Sequence, residues 1–217
     1  MKRLTAVNPG ELDAAAAAAC AVWRAGGVVA VPTETVYGLA ARWHDPAARE
    51  RIYTLKRRPQ DKRLQMLALD LAMAERAGVC ADPRLRAIAA AFWPGPLTLV
   101  CPAAQADAGE DATIGLRLPD HPFIRRALEQ LGEPLAATSA NLSGAPPGTA
   151  AAAAVAGLDG QPDLLVDGGP ARLGQPSTVA ALTRDGTLRI LREGAVTEAQ
   201  LRAVLEPYAS LPPAAAS

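Results

Sequence analysis

The chain has 217 residues, half of them apolar and 4% aromatic, and its 22 basic and 22 acidic side chains cancel to a formal charge of zero. That length holds one large domain with a proper core. No uninterrupted apolar run is long enough for a transmembrane helix, and the balanced charge argues against a protein whose main work is coating nucleic acid.

The opening MKRLTAVNPGELD has no apolar block after its basic residues, so no secretory signal is expected. Apolar side chains at helical spacing (Leu12, Ala15, Ala19, Val22, Trp23) predict a helix over 11–25 that stops at Gly26-Gly27. Residues 28–31 read as a buried strand. Asp45-Pro46 supplies a cap and a first-turn proline for a helix that ends near Lys56. A short strand is expected at 66–69. Asp82-Pro83 opens a further helix that breaks at Pro94-Gly95-Pro96, and a strand follows at 97–101.

Residues 113–118 alternate, with Ile114, Leu116 and Leu118 on one face and Thr113, Gly115 and Arg117 on the other. Beyond them come a helix over 122–131, strands near 135–138, 164–166, 178–182 and 187–191, and a helix over the alanine run at 150–154. Thr197 and Gln200 form a capping box for a last helix through Leu205. Interleaved strands and helices predict one α/β domain over residues 1–207 with a central mixed sheet, then a disordered tail at 208–217.

Cys20, Cys80 and Cys101 are widely spaced and form no CxxC, which fits packed, reduced thiols in a cytoplasmic protein. Two histidines are too few for a histidine-rich metal site. His44, before Asp45-Pro46, and His121, in PDHP, both sit where turns are expected. Neither GxxxxGK[ST] nor a GxGxxG after a strand occurs, so any nucleotide must be held by scattered groups.

Candidates for that work exist. The run LAATSANLSG at 135–144 ends an apolar strand in Ser139, Asn141 and Ser143, three small hydrogen-bonding side chains. Lys56, Arg57, Arg58, Lys62 and Arg63 give five cations in eight residues, opposed only by Asp61. They suit either an anion site or the negative end of a helix dipole. The only other lysine is Lys2. Arg117 needs a partner if buried, either a ligand carboxylate or an internal salt bridge, and Arg192 poses the same choice. Ser177 and Thr178 stand at a strand entrance after the loop DGGPARLGQ.

Seven ordered blocks then carry a resemblance: PTETVYGL, KRRPQDK, FWPGPLT, GLRLPDHP, SANLSG, GQPSTV and LREG. Over residues 10–205 the chain resembles the YrdC-like threonylcarbamoyl-adenylate synthases. The resemblance implies a three-layer α/β fold in which helices flank a twisted mixed sheet around a positively charged concavity. It implies formation of threonylcarbamoyl-adenylate and pyrophosphate from L-threonine, bicarbonate (or carbon dioxide) and ATP. A transferase complex would then place the threonylcarbamoyl group on tRNA beside the anticodon.

By matching positions, Thr35 and Arg117 should hold threonine, with Ser177 touching it and Thr33 a weaker contributor. Lys56, Arg58, Ser139 and Arg192 should contact ATP or the adenylate, with Asn141 shaping the loop and Lys62 in support. Lys56, Arg58 and Arg192 would stabilise charge during transfer. Mg2+ is expected on phosphate oxygens and water, with no protein-built metal site and Glu34 at most an indirect contributor. The chain departs from the family pattern at Arg63 and Leu67, where members often have proline and some have histidine. An alternative is an RNA-binding module using the same basic surface, which also leaves room for weak RNA contact beside catalysis. Carbamoyl-adenylate-forming relatives carry the domain within larger multidomain proteins and rank last.

Overall fold

A computed structural model of the protein describes residues 1–103 and 112–213. In chain order it contains β1 (Lys2–Thr5), α1 (Pro9–Arg24), β2 (Val29–Val31), β3 (Gly38–Arg42), α2 (Pro46–Lys56), β4 (Gln65–Leu67), α3 (Leu71–Arg76), α4 (Pro83–Phe92), β5 (Leu97–Pro102), β6 (Thr113–Arg117), α5 (Pro122–Leu131), β7 (Leu135–Ser139), α6 (Ala151–Ala156), β8 (Leu164–Asp167), β9 (Thr178–Leu182), β10 (Leu188–Arg192) and α7 (Glu198–Leu205).

Local chemistry explains the helix starts. The carboxylates of Asp45, Asp70 and Asp82 accept from the amides of Ala48, Met73 and Leu85 at 2.9, 2.7 and 2.8 Å, filling orphan donors of the first turn. The Thr197/Gln200 capping box forms as expected. His121 caps α5 through Nδ1, which accepts from the Phe123 amide at 3.2 Å, and His44 lies in a turn.

The strands form one sheet in the order β1-β8-β2-β3-β7-β4-β6-β5-β9-β10. The pairs β1/β8, β2/β8, β4/β6 and β5/β9 are parallel and the rest antiparallel. Alternate residues at the centre go to different helices. Val29, Val31 and Ala40 join the cluster containing α1 and α5, whereas Val28, Ala30, Leu39 and Ala41 join the one containing α2 and α6. Helices thus cover both faces there, giving the expected three layers.

Three elements were not anticipated. β1 is short and largely exposed, α3 spans only six residues, and β3 is buried on both faces and so shows no alternation. Of the segment 208–217 expected to be disordered, Tyr208 closes a 3-10 turn and the carbonyls of Leu211 and Pro212 accept from buried Arg84. Residues 214–217 of that segment lie outside the described residues. No helix among the described residues is long and apolar enough to cross a membrane.

Candidate active site

One cavity of about 930 Å³ opens over β4, β6, β5 and β9. Its floor comes from alternate residues: Gln65, Gly115, Arg117, Thr98, Val100 and Val179. The intervening Met66, Leu116, Leu99 and Ala180 lie in the core. Gly115 keeps the floor low, since a Cβ there would stand 3.7 Å from Gln65 Cβ and 3.8 Å from Thr98 Cγ2, ordinary contact distances.

Lys56 ends α2 on the cavity wall and is 1% exposed. Its ammonium donates to the Ser139 carbonyl and, at 2.5 Å, to the Asn141 carbonyl, pinning the loop after β7. Burial, and then the neighbouring Arg58 charge, lower its pKa to about 8. Arg57 follows in the left-handed conformation, with φ of 47°, so the chain reverses at once. Arg57 points away to Asp159 at 2.8 Å. Arg58 turns into the cavity wall and holds the next loop through the carbonyls of Lys62 and Arg63 at 2.8 and 2.9 Å. Lys62 and Arg63 line the same cavity.

Arg117 is buried on the floor and takes the internal ion pair of the two roles open to it. Its Nη2 lies 2.7 Å from Glu34 Oε1 and donates to Thr35 Oγ1 at 2.8 Å, while Nε donates to the Gly95 carbonyl at 3.3 Å. Among the described residues Nη1 has no hydrogen-bond partner, and Arg117 lines the cavity, so this nitrogen is the one left to give. The turn between β2 and β3 presents Thr35 and Glu34. Thr33 braces that turn, donating to the Val36 carbonyl at 2.5 Å. It is not among the residues lining the cavity.

Arg192 reaches the site because of an irregularity. Ile190 pairs with Ala180, but Arg192, not Leu191, pairs with Val179. This bulge moves Arg192 to the cavity side and leaves Leu191 58% exposed. The guanidinium donates to the Ser177 carbonyl through Nε at 3.2 Å and Nη2 at 2.8 Å. Gly194 makes the approach possible, since a Cβ there would meet the Thr178 amide nitrogen at 2.5 Å. Burial and then the like charge of Arg117 depress the Arg192 pKa. Burial likewise depresses that of Arg58. Burial, more than like charge, is what disfavours these cations, and an anion placed among them would restore their charged forms.

A family model described as telomere recombination, the Sua5/YciO/YrdC model, matches residues 21–194. The chain belongs to the Sua5/YciO/YrdC family. It is 39% identical over 201 residues to a threonylcarbamoyl-AMP synthase of Bacillus subtilis, covering 90% of this chain and 58% of that one. A synthase of the same name from Chromohalobacter salexigens is 37% identical over 175 residues, covering 79% and 94%. Among solved structures, Pyrococcus abyssi Sua5 complexed with L-threonine superposes with a TM-score of 0.80 at 31% identity, covering 94% of this chain and 60% of that one. E. coli YciO superposes at 0.76 with 29% identity, covering 90% and 96%. The chain thus spans about half to three fifths of the Sua5 and Bacillus relatives.

The cavity brings together Thr35, Lys56, Arg58, Lys62, Arg117, Ser139, Asn141, Ser177 and Arg192. The Asn141 amide nitrogen holds its own loop at the carbonyls of Leu142 and Ala145, and its buried Oδ1 has no partner among the described residues. Sequence reasoning missed Gln65 and Thr98 as site residues. Gln65 stands in an otherwise apolar strand, LQMLAL, a signal that alternation over a longer strand would have exposed. Among the described residues the only carboxylate lining the cavity is Glu50, which accepts from the Gln60 amide at 3.0 Å. No metal-binding cluster exists among the described residues. The lining is therefore built of N–H and hydroxyl donors and does not fit a protein-held Mg2+.

Proposed function

We propose that this cavity makes threonylcarbamoyl-adenylate from L-threonine, bicarbonate or carbon dioxide, and ATP. The observation that carries the reading is the separation of donor sets. Arg117, backed by Thr35 and Glu34, offers a charged Nη1 donor suited to a carboxylate. Lys56, Arg58, Lys62 and Arg192 offer charge around the same hollow for a polyphosphate.

The amino acid's nitrogen, as free base, forms a bond to the carbon of carbon dioxide and releases a proton, leaving a carbamate anion. A carbamate oxygen then bonds to the α-phosphorus of ATP as the bond to pyrophosphate breaks. Both reactants are anionic, so the cations lower repulsion and stabilise the charge that builds on phosphoryl and leaving-group oxygens. No covalent enzyme intermediate is required, in keeping with a lining that holds no histidine or cysteine. Any Mg2+ would travel on the nucleotide's phosphates and water.

On this reading the product passes, in the cytoplasm, to a transferase complex that modifies tRNA beside the anticodon. The test is pyrophosphate release with and without each substrate. Release that depends on threonine, bicarbonate and ATP together is expected, and release indifferent to threonine overturns the proposal.

A further inference from the structure

A hydrogen-bond chain crosses the cavity floor. Arg192 Nη2 donates to Ser177 Oγ at 3.3 Å, Ser177 and Thr98 hydroxyls lie 3.0 Å apart, and Thr98 donates to Gln65 Oε1 at 2.7 Å. Because the single Thr98 proton goes to Gln65, Ser177 is the donor in the middle contact. Every hydroxyl proton along the chain is therefore spent. Thr98 and Ser177 are 4% and 3% exposed, so water does not readily compete for them.

In this arrangement the Gln65 carboxamide oxygen faces Thr98, and its nitrogen has no hydrogen-bond partner among the described residues. Gln65 and Gly115 line the same cavity. Met66 and Leu67 pair with Leu116 and Arg117, which sets Gln65 beside Gly115, two residues from Arg117 on the same face. At a rise of about 3.3 Å per residue the backbone positions level with the two side chains are roughly 7 Å apart along the strands, and both side chains line the one cavity. An amino acid seated by its carboxylate on Arg117 would thus carry its nitrogen into the hollow that Gln65 also borders.

We propose that Gln65 donates to an oxygen of the carboxyl group newly attached to the amino acid's nitrogen, and so binds the carbamate. This rests on the function proposed above and names the side chain that receives its one-carbon substrate. A carbamate has two acceptor oxygens and gains from a donor. A neutral amide orients it with a weaker bond than an ammonium or guanidinium would, leaving more of its charge for the attack on phosphorus. A carbonyl or carboxylate at position 65 would repel it.

The test compares Gln65→Leu and Gln65→Glu with the wild type, all checked by thermal melting. The glutamate keeps an acceptor for Thr98 and serves if the leucine variant fails to fold. Pyrophosphate release is followed against bicarbonate concentration, and threonine and ATP binding are measured by calorimetry in buffer freed of carbon dioxide. Expected are a rise of about tenfold in the bicarbonate KM for the leucine variant, consistent with loss of one hydrogen bond, and a larger rise for glutamate. For the leucine variant, threonine and ATP binding should stay within twofold of wild type. An unchanged bicarbonate KM overturns the proposal. So does weakened threonine binding without carbon dioxide, which would assign Gln65 to the amino acid's own side chain. Wild-type protein that shows no threonine dependence removes the functional reading itself, and this inference with it.

Discussion

Glu34 and Arg117 form an ion pair of 2.7 Å in which the side chains are 2% and 4% exposed. Neither Glu34 oxygen has a well-aligned hydrogen bond within the protein, so Arg117 is its principal compensation. Glu34→Ala leaves a buried guanidinium unpaired, which costs about 3–5 kcal/mol. Urea unfolding should show that loss as a lower midpoint with an unchanged slope.

Arg117→Ala should weaken threonine binding by about tenfold or more, the scale of one lost charge-assisted hydrogen bond, while ATP binding stays within a few-fold. Arg117→Lys should not restore it, because a single ammonium cannot reach a ligand while also meeting Thr35, Glu34 and the Gly95 carbonyl. Calorimetric titration of each ligand separately decides this, and equal loss of both would place Arg117 in the nucleotide subsite.

Nucleotide binding should draw in a proton near pH 8. Free Lys56 has a pKa of about 8 because burial, then Arg58, disfavours its ammonium, and phosphates favour the charged form. The apparent binding enthalpy of ATP at pH 8 should therefore vary with the ionisation enthalpy of the buffer. The effect should vanish below about pH 7 and in Lys56→Met. For stability the sign is opposite to that of a salt-bridged lysine. Between about pH 8 and 10.5 the unfolded chain holds a proton that folded Lys56 has lost, so wild type gains on Lys56→Met as pH rises through that window.

Gly115→Val should separate folding from catalysis. Its Cβ meets Gln65 and Thr98 at ordinary distances, its two methyls extend into the open cavity that Gly115 lines, and a β-branched residue suits a strand, so the melting temperature should hold or rise slightly. The substituent occupies the hollow between Gln65 and Arg117, and turnover should fall by at least about tenfold. Gly194→Ala should do the reverse in order, losing stability first, because its Cβ would collide with the Thr178 amide and the Pro176 carbonyl. A variant pair measured by melting and by pyrophosphate release tests both expectations.

Much of this was legible in the residues. Aspartate-proline pairs marked two helix starts, and the alternation of 113–118 placed Gly115 and Arg117 on one face. The ordered blocks pointed to a shared site. What escaped had physical reasons. β3 lies between two covered faces and carries no period-two signal. Whether Arg117 would meet an internal or an external carboxylate depended on Glu34, eighty-three positions earlier, and no local pattern fixes such an approach. In unbroken alternation Arg192 would follow Leu188 and Ile190 to the core side, and only the bulge at Leu191 turns it around. Sorting the basic run likewise required the left-handed Arg57, which sends one arginine outward and its successor inward.

The bulged edge strand β10 closes the pocket from the rim of the sheet. Its one ladder is with β9, and Arg192 reaches the Ser177 carbonyl only through that pairing. Were this edge to fray, the remaining walls would stand while Ser177 lost its brace, so an opening confined to one strand would be enough to undo the pocket.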